Sequence, residues 1–277
     1  MHQRNIHRYG YDFVKLAKTH PALESHLITT ESGAFSIDFS KATSILEFNT
    51  ALLKLHYGIK YWKLPANTLY PPIPGRADYL HHLADLIGKG AKKGLDVGCG
   101  ASAIYPILGN AIYDYEMVGT DVDETSYNHA QDNTAKNDAI RIRHQADRSN
   151  IFKDMILPGE RYDFTMCNPP FYTSKEEADK VNLKKQRNLG TVENSRNFSG
   201  ASHELYCNGG EALFIKRMIK ESAQFKEQVG WFSCLVAKSQ HLKPLEKQLT
   251  KAGASYHIIP MESGNKKSRF IAWKFGK

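Results

Sequence analysis

The 277-residue sequence is poor in cysteine, with Cys99, Cys167, Cys207 and Cys234 widely scattered. They form no CxxC pair, which argues against a disulfide framework or a cysteine zinc site and fits a reducing, cytoplasmic setting. No stretch approaches the ~18 consecutive apolar residues that a bilayer span needs. Nothing apolar follows the opening Met1-His2-Gln3-Arg4-Asn5, so neither a membrane anchor nor a signal peptide is expected. Internal repeats and low-complexity tracts are absent. Acidic side chains are the scarcer charge, 29 Asp+Glu against 37 Lys+Arg, for a net charge of +8. That balance points to a polyanionic partner, nucleic acid or a membrane surface, with a merely solvated basic surface as the plain alternative. A hydrophobic fraction of 41% with 24% charged residues is that of a globular protein and excludes a disordered chain or a coiled coil.

Three regions differ in character. Residues 1–75 are polar and mixed, with helical signals at Phe13–Ala17 and Ile45–Leu55, and they close on the Pro-rich turn Tyr70–Gly75. They read as an N-terminal extension or small subdomain. From Arg76 onward, short apolar runs alternate with amphipathic stretches. A helix over Arg76–Ile87 precedes strands at Gly94–Val97, Tyr115–Thr120, Ile140–Arg143 and Tyr162–Cys167. A helix between them runs from Ser126, as its cap, to Lys136. Later come a helix over Gly210–Phe225, a strand over Val229–Val236 and a helix over Leu242–Ala252 closed by Gly253. A terminal strand pair follows, Ser255–Pro260 and Arg269–Phe275. Such alternation specifies βαβ units and an α/β fold with seven strands, mainly parallel, the last two a hairpin. Ligands of such doubly wound sheets sit at the carboxyl ends of the strands. Residues 76–277 thus form the main domain, interrupted by a long polar segment at 173–205 that reads as a substrate-contacting loop.

Leu95-Asp96-Val97-Gly98-Cys99-Gly100-Ala101-Ser102 ends a strand and opens a helix. Glycines at 98 and 100 let the backbone turn sharply and come close to a ligand. The next strand ends in Asp121, 21 positions beyond Gly100, close to the ~20 expected of an acid that grips ribose hydroxyls. An adenosine-containing cofactor follows, nicotinamide or S-adenosylmethionine. Asp96 tips the choice to S-adenosylmethionine, because a buried strand carboxylate is costly unless it serves amides or a cation, and the methionyl ammonium is one.

Cys167-Asn168-Pro169-Pro170-Phe171-Tyr172 follows the fourth of these strands. Two prolines fix the backbone and remove two donors. The Asn168 side-chain oxygen and the Pro169 carbonyl suit the two N–H bonds of an exocyclic amino group, and Phe171 suits stacking on its ring, worth ~1–3 kcal/mol per base. Holding such a nitrogen so that its lone pair faces an electrophilic methyl is catalysis by orientation. Asn168 is no base, so the proton leaves to water after transfer.

Asn168-Pro169-Pro170-Phe171 matches the [DNS]-P-P-[FYW] signature of amino-group methyltransferases. Pro74-Gly75-Arg76-Ala77-Asp78-Tyr79-Leu80-His81-His82, the block Asp96 to Pro106 and Gly209-Gly210-Glu211 resemble the ribosomal RNA large subunit methyltransferase F family. The resemblance covers nearly the whole chain. It implies a Rossmann-like class I S-adenosylmethionine-dependent fold and methylation of N6 of one adenine in 23S rRNA. A eukaryotic relative modifies adenine in a spliceosomal small nuclear RNA. It also implies cofactor contacts at Arg76, Gly98, Ser102, Asp121, Asp147 and Asn168. An Arg76 guanidinium matches the methionyl carboxylate, and Asp147 is placed to accept from the adenine amino group, although relatives carry Thr there.

Basic residues cluster in three places, and each is also compatible with plain solvated surface. Arg4 and Arg8, with Lys15 and Lys18, lie near the N-terminus; Lys184, Lys185 and Arg187 lie in the polar segment; Lys266 and Lys267 lie in the last turn. They are the candidate RNA contacts. His81-His82 suggest no metal site, and a monomer is expected. Three alternatives stand beside RNA methylation: a methyltransferase acting on a protein amide or amino nitrogen, an RNA-binding module that has lost transfer, and a nicotinamide dehydrogenase, for which Asn168-Pro169-Pro170-Phe171 offers no hydride-transfer role.

Overall fold

The structure is a computed structural model that describes residues 1–65, 68, 70–170, 209–263 and 266–276. Phe171 and the segment 173–205 fall outside the described residues, as do Lys184, Lys185 and Arg187. The N-terminal region holds α1 (Phe13–Thr19), a two-stranded antiparallel ribbon of β1 (Leu27–Thr29) and β2 (Phe35–Ile37), and α2 (Ala42–Tyr57). Helix α3 (Ile73–Ile87) starts three residues before the expected Arg76, because Pro74 sits in its first turn, where the missing N–H costs nothing.

A seven-stranded sheet follows: β3 (Lys93–Val97), β4 (Glu116–Asp121), β5 (Ile140–His144), β6 (Tyr162–Cys167), β7 (Val229–Leu235), β8 (Ser255–Ser263) and β9 (Lys266–Lys274). Their spatial order is β5-β4-β3-β6-β7-β9-β8, parallel except for β9, which runs antiparallel to both its neighbours. Connecting helices are α4 (Ile104–Tyr113), α5 (Glu124–Thr134), α6 (Gly210–Ser222) and α7 (Leu242–Lys251). Helix α5 is capped by Asp123, not by Ser126: the Asp123 carboxylate, which comes first in the chain, accepts the Ser126 amide at 2.8 Å.

Side chains alternate across the sheet and divide its two cores. On β9, Phe270 and Ala272 join one core while Ile271 and Trp273 join the other, and all four are wholly buried. The first core contains residues of α3, α4 and α5; the second contains residues of α6 and α7. Leu16, Leu23, Phe48, Leu52, Leu53 and Trp62 belong to the first core together with Leu80, Tyr105 and Met117. Among the described residues, the buried side chains of the first 75 positions thus share the first core with α3, α4 and the sheet. The chain lays strands to one side of β3 and then crosses to β6 on its other side. A crevice opens at this reversal, beyond the carboxyl ends of β3 and β6.

Candidate active site

Register places the two chemical motifs side by side. Val97 pairs with Cys167 across β3 and β6, so the glycine turn and Asn168 leave the sheet as neighbours. Between them lies a cavity of about 420 Å³, within the usual range for small-molecule sites. Its wall includes residues 97–100 at the end of β3, 120–123 from β4, Gln145, Arg148, Asn150 and Ile151 beyond β5, and Cys167, Asn168 and Pro170 at and beyond the end of β6.

The glycine turn is fixed from β4. Gly98 and Cys99 both donate their amides to the Thr120 carbonyl at 2.9 Å, and Gly100 donates to Asp121 Oδ2 at 2.8 Å. Gly98 and Gly100 have φ of +72° and +63°. Among the described residues, no atom beyond its chain neighbours lies within 4 Å of where a Gly98 Cβ would stand, so the backbone conformation, not crowding, requires glycine there. Asp121 Oδ1 accepts the Asp123 amide at 2.9 Å. Burial raises the Asp121 carboxyl, and these backbone amides oppose the rise. A carboxylate offers about four lone-pair positions, so these amides leave acceptor capacity for a ligand.

Arg76 lines the crevice, and Asp96 lies behind its wall within reach of the Arg76 charge. Arg76, from the first turns of α3, donates to the Tyr105 hydroxyl at 2.8 Å, its guanidinium 5.3 Å from that ring centroid. Its Nε is buried with no hydrogen-bond partner among the described residues. Asp96 is wholly buried, and neither carboxylate oxygen has a partner there either. Burial pushes its carboxyl well above the ordinary range; Arg76 pulls it down and Asp121 pushes it further up. Asp96 lies outside the cavity wall, on the face of β3 turned toward α3 and α4. Asn168 completes the set: its Oδ1 is a third buried acceptor with no partner among the described residues. Such orphaned groups are rare in folded chains and call for an external partner.

Ser102 is buried and lines the cavity. Asp147 does not. Its exposed carboxylate accepts from Ser149 N at 2.8 Å and Asn150 Nδ2 at 3.1 Å, and these bonds, those from Ser149 foremost, lower its pKa. The cavity wall at this point is Gln145, Arg148 and Asn150 instead. Arg4 is also diverted: it pairs with Asp85 at 2.7 Å and donates to Tyr113 Oη and the His81 carbonyl, binding the N-terminus to α3 and α4. A guanidinium so tied is not a free phosphate ligand. Arg8 and Lys267 are exposed. Pro169 is buried beside Asn168.

Sequence reasoning missed Tyr105, which holds Arg76, and Phe214 and Arg217 of α6, which line the far wall. It also missed Glu221, whose carboxylate gathers the amides of Ile151, Phe152 and Lys153 at 2.8–3.1 Å and so shapes the loop after β5. Tyr105 sits inside the Asp96–Pro106 block without being singled out, while Phe214, Arg217 and Glu221 carry no motif and are placed only by the fold. The described residues contain no group of three or more His, Cys, Asp or Glu able to hold a metal, and no helix long and apolar enough to cross a membrane.

A family model described as RNA methyltransferase matches residues 1–277. The chain belongs to that family. A ribosomal RNA large subunit methyltransferase F from Christiangramia forsetii is 50% identical over 99% of this chain and 100% of its own length. One from Pseudoalteromonas atlantica is 44% identical over 99% of this chain and 92% of its own. Among solved structures, the catalytic domain of hMettl16 in complex with a MAT2A 3'UTR hairpin superposes with a TM-score of 0.86 at 32% identity, covering 100% of this chain and 96% of that one. The N-terminal domain of human METTL16 in complex with SAH gives 0.81 at 28%, covering 100% and 99%. This chain is an S-adenosylmethionine-dependent RNA methyltransferase of α/β fold with a C-terminal antiparallel hairpin.

The crevice fits that cofactor on its own chemistry. A methionyl end carries one ammonium and one carboxylate; the crevice wall offers a buried Arg76 Nε, and behind that wall lie the buried Asp96 oxygens, all unpartnered among the described residues. A nucleoside end needs acceptors for vicinal hydroxyls, and Asp121 lines the cavity beside the open glycine turn.

Proposed function

We propose that this enzyme methylates N6 of an adenine in 23S rRNA, with Asn168, Pro169, Pro170 and Phe171 as its catalytic corner. The observation that carries the reading is the Asn168 Oδ1, a buried acceptor with no partner among the described residues, one residue past the Val97–Cys167 pair and beside the glycine turn. S-adenosylmethionine, when bound, supplies an electrophilic methyl. Arg76, Asp96, Gly98, Gly100, Ser102, Asp121 and Asn168 hold it; Arg76 and Asp96 take the charged methionyl end and Asp121 the ribose.

Asn168 Oδ1 and the Pro169 carbonyl accept the two N–H bonds of the adenine amino group, and Phe171 stacks on its ring. Fixing the nitrogen between two acceptors opposes its conjugation with the ring and aims its lone pair, which is where the acceleration arises. No residue lining the cavity beside Asn168 is needed as a strong base, since the proton of the methylated nitrogen leaves to water. The basic residues Arg8, Lys184, Lys185, Arg187, Lys266 and Lys267 contact RNA phosphates, and residues 1–75 carry part of that surface. The buried thiols Cys99, Cys167 and Cys234 suit a reducing cytoplasm, where the enzyme acts as a monomer.

Incubation with labelled S-adenosylmethionine and either large-subunit rRNA or protein acceptors tests the reading. Label in rRNA, recovered as N6-methyladenosine after digestion, is expected. Label in protein alone overturns it.

A further inference from the structure

Two carbonyls of the glycine turn are bonded from outside it. The Trp62 indole Nε1 donates to the Ser102 carbonyl at 2.9 Å, and Asn133 Nδ2 of α5 donates to the Ala101 carbonyl at 2.9 Å. The same Asn133 amide also closes a pair with residue 63, accepting from Lys63 N at 2.8 Å and donating to Lys63 O at 2.7 Å. Residues 62–63 of the N-terminal extension are thereby bracketed to residues 101–102. The turn needs such restraint. Ala103, wholly buried, holds φ +46°, a left-handed conformation that costs a non-glycine residue stability and persists only where its surroundings over-determine it. Trp62 is itself buried, so its N–H has no water to fall back on.

From this bracket we infer that Trp62 and Asn133 are positioning residues for cofactor binding, which hold the 98–103 turn in its ligand-accepting shape without touching the ligand. The inference rests on reading the crevice as the cofactor site. Neither side chain lines the cavity. Their effect must run through the fraction of molecules whose turn is competent, and apparent affinity falls in proportion to that fraction.

The test uses the full chain. Trp62→Phe keeps a buried ring and deletes one donor; Asn133→Ala removes the second clamp at a helical site where alanine is the best former. SAH affinity is measured by calorimetry, RNA affinity by filter binding, and KM and kcat with S-adenosylmethionine varied. Both variants are expected to bind SAH about tenfold more weakly, equivalent to ~1.4 kcal/mol. KM for S-adenosylmethionine should rise to match, with kcat at saturation and RNA affinity near wild type. SAH affinity within twofold of wild type in both variants overturns the inference, as does a parallel fall of SAH affinity, RNA affinity and kcat, which is loss of fold. Failure of the wild-type chain to bind SAH sinks the cavity assignment and the bracket's role with it.

Discussion

Replacing Asn168 by alanine separates chemistry from structure. The Asn168 Oδ1 makes no hydrogen bond among the described residues, so its removal breaks no internal bond there. It also relieves a buried acceptor of its missing partner, so the fold loses little: the change in unfolding free energy should stay within ~1 kcal/mol. The reaction loses one of two acceptors at the reacting nitrogen. Deleting a single aligned hydrogen-bonding group at a reacting centre typically lowers kcat by ~10²–10³, or ~2.7–4 kcal/mol. Single-turnover methylation of an rRNA fragment should show that loss, while Tm stays near wild type and SAH affinity falls by less than tenfold. Asn168→Asp keeps an oxygen acceptor and should retain more turnover than the alanine variant. Turnover of Asn168→Ala within threefold of wild type refutes the role assigned to the side chain. A large drop in Tm would instead give Asn168 a structural duty.

Other outcomes bear on the remaining residues. Burial raises the Asp96 carboxyl, so the folded state keeps its proton to higher pH than the unfolded chain does. Its contribution to stability is full below ~3.9 and is lost as pH rises through the folded value. Ligand-free Asp96→Asn should therefore melt higher than wild type above that window, by roughly 2–4 °C for each kcal/mol regained, yet bind SAH more weakly; an unchanged or lower Tm at pH 8 contradicts this. Glu160 shows the opposite sign: the bidentate Arg143 guanidinium at 2.7 Å lowers it to about 2. Its contribution holds above pH ~4.3 and is lost as pH falls through about 2, so Glu160→Gln should flatten the acid limb of a Tm–pH profile. Charge reversal at Lys184, Lys185 and Arg187 should weaken RNA binding and reduce the magnitude of the log–log salt slope by about 0.7–0.9 for each phosphate no longer neutralised; an unaltered slope removes the segment from the interface.

Much of the architecture was legible because its signals are local. All seven strands of the sheet lie where short apolar runs meet turn residues, and Tyr162–Cys167 matches residue for residue. The glycine turn and the corner after β6 were legible for a different reason: each motif follows a strand, and parallel strands deliver their ends to one edge. The ribbon Leu27–Thr29 and Phe35–Ile37 was not, since three-residue strands carry no usable periodicity. Nor was the misplacement of Asp147, whose acid type is equally suited to a ligand or to the turn it closes. Arg4 shows the same ambiguity, because a guanidinium serves Asp85 as well as it serves a phosphate. Trp62 and Asn133 were illegible in principle: their partners lie 40 and 32 positions away, and only the folded chain brings them together.

Strand β9 is the last made yet lies inside the sheet, between β7 and β8. A chain emerging from the ribosome cannot complete the sheet by adding strands at its rim. Until β9 arrives, β7 and β8 each present a row of unsatisfied amides and carbonyls, the template on which chains stick to one another. Truncations that remove β9 while keeping β7 and β8 should accumulate as aggregates, so a nonsense codon at residue 266 should leave insoluble material in place of a shortened enzyme.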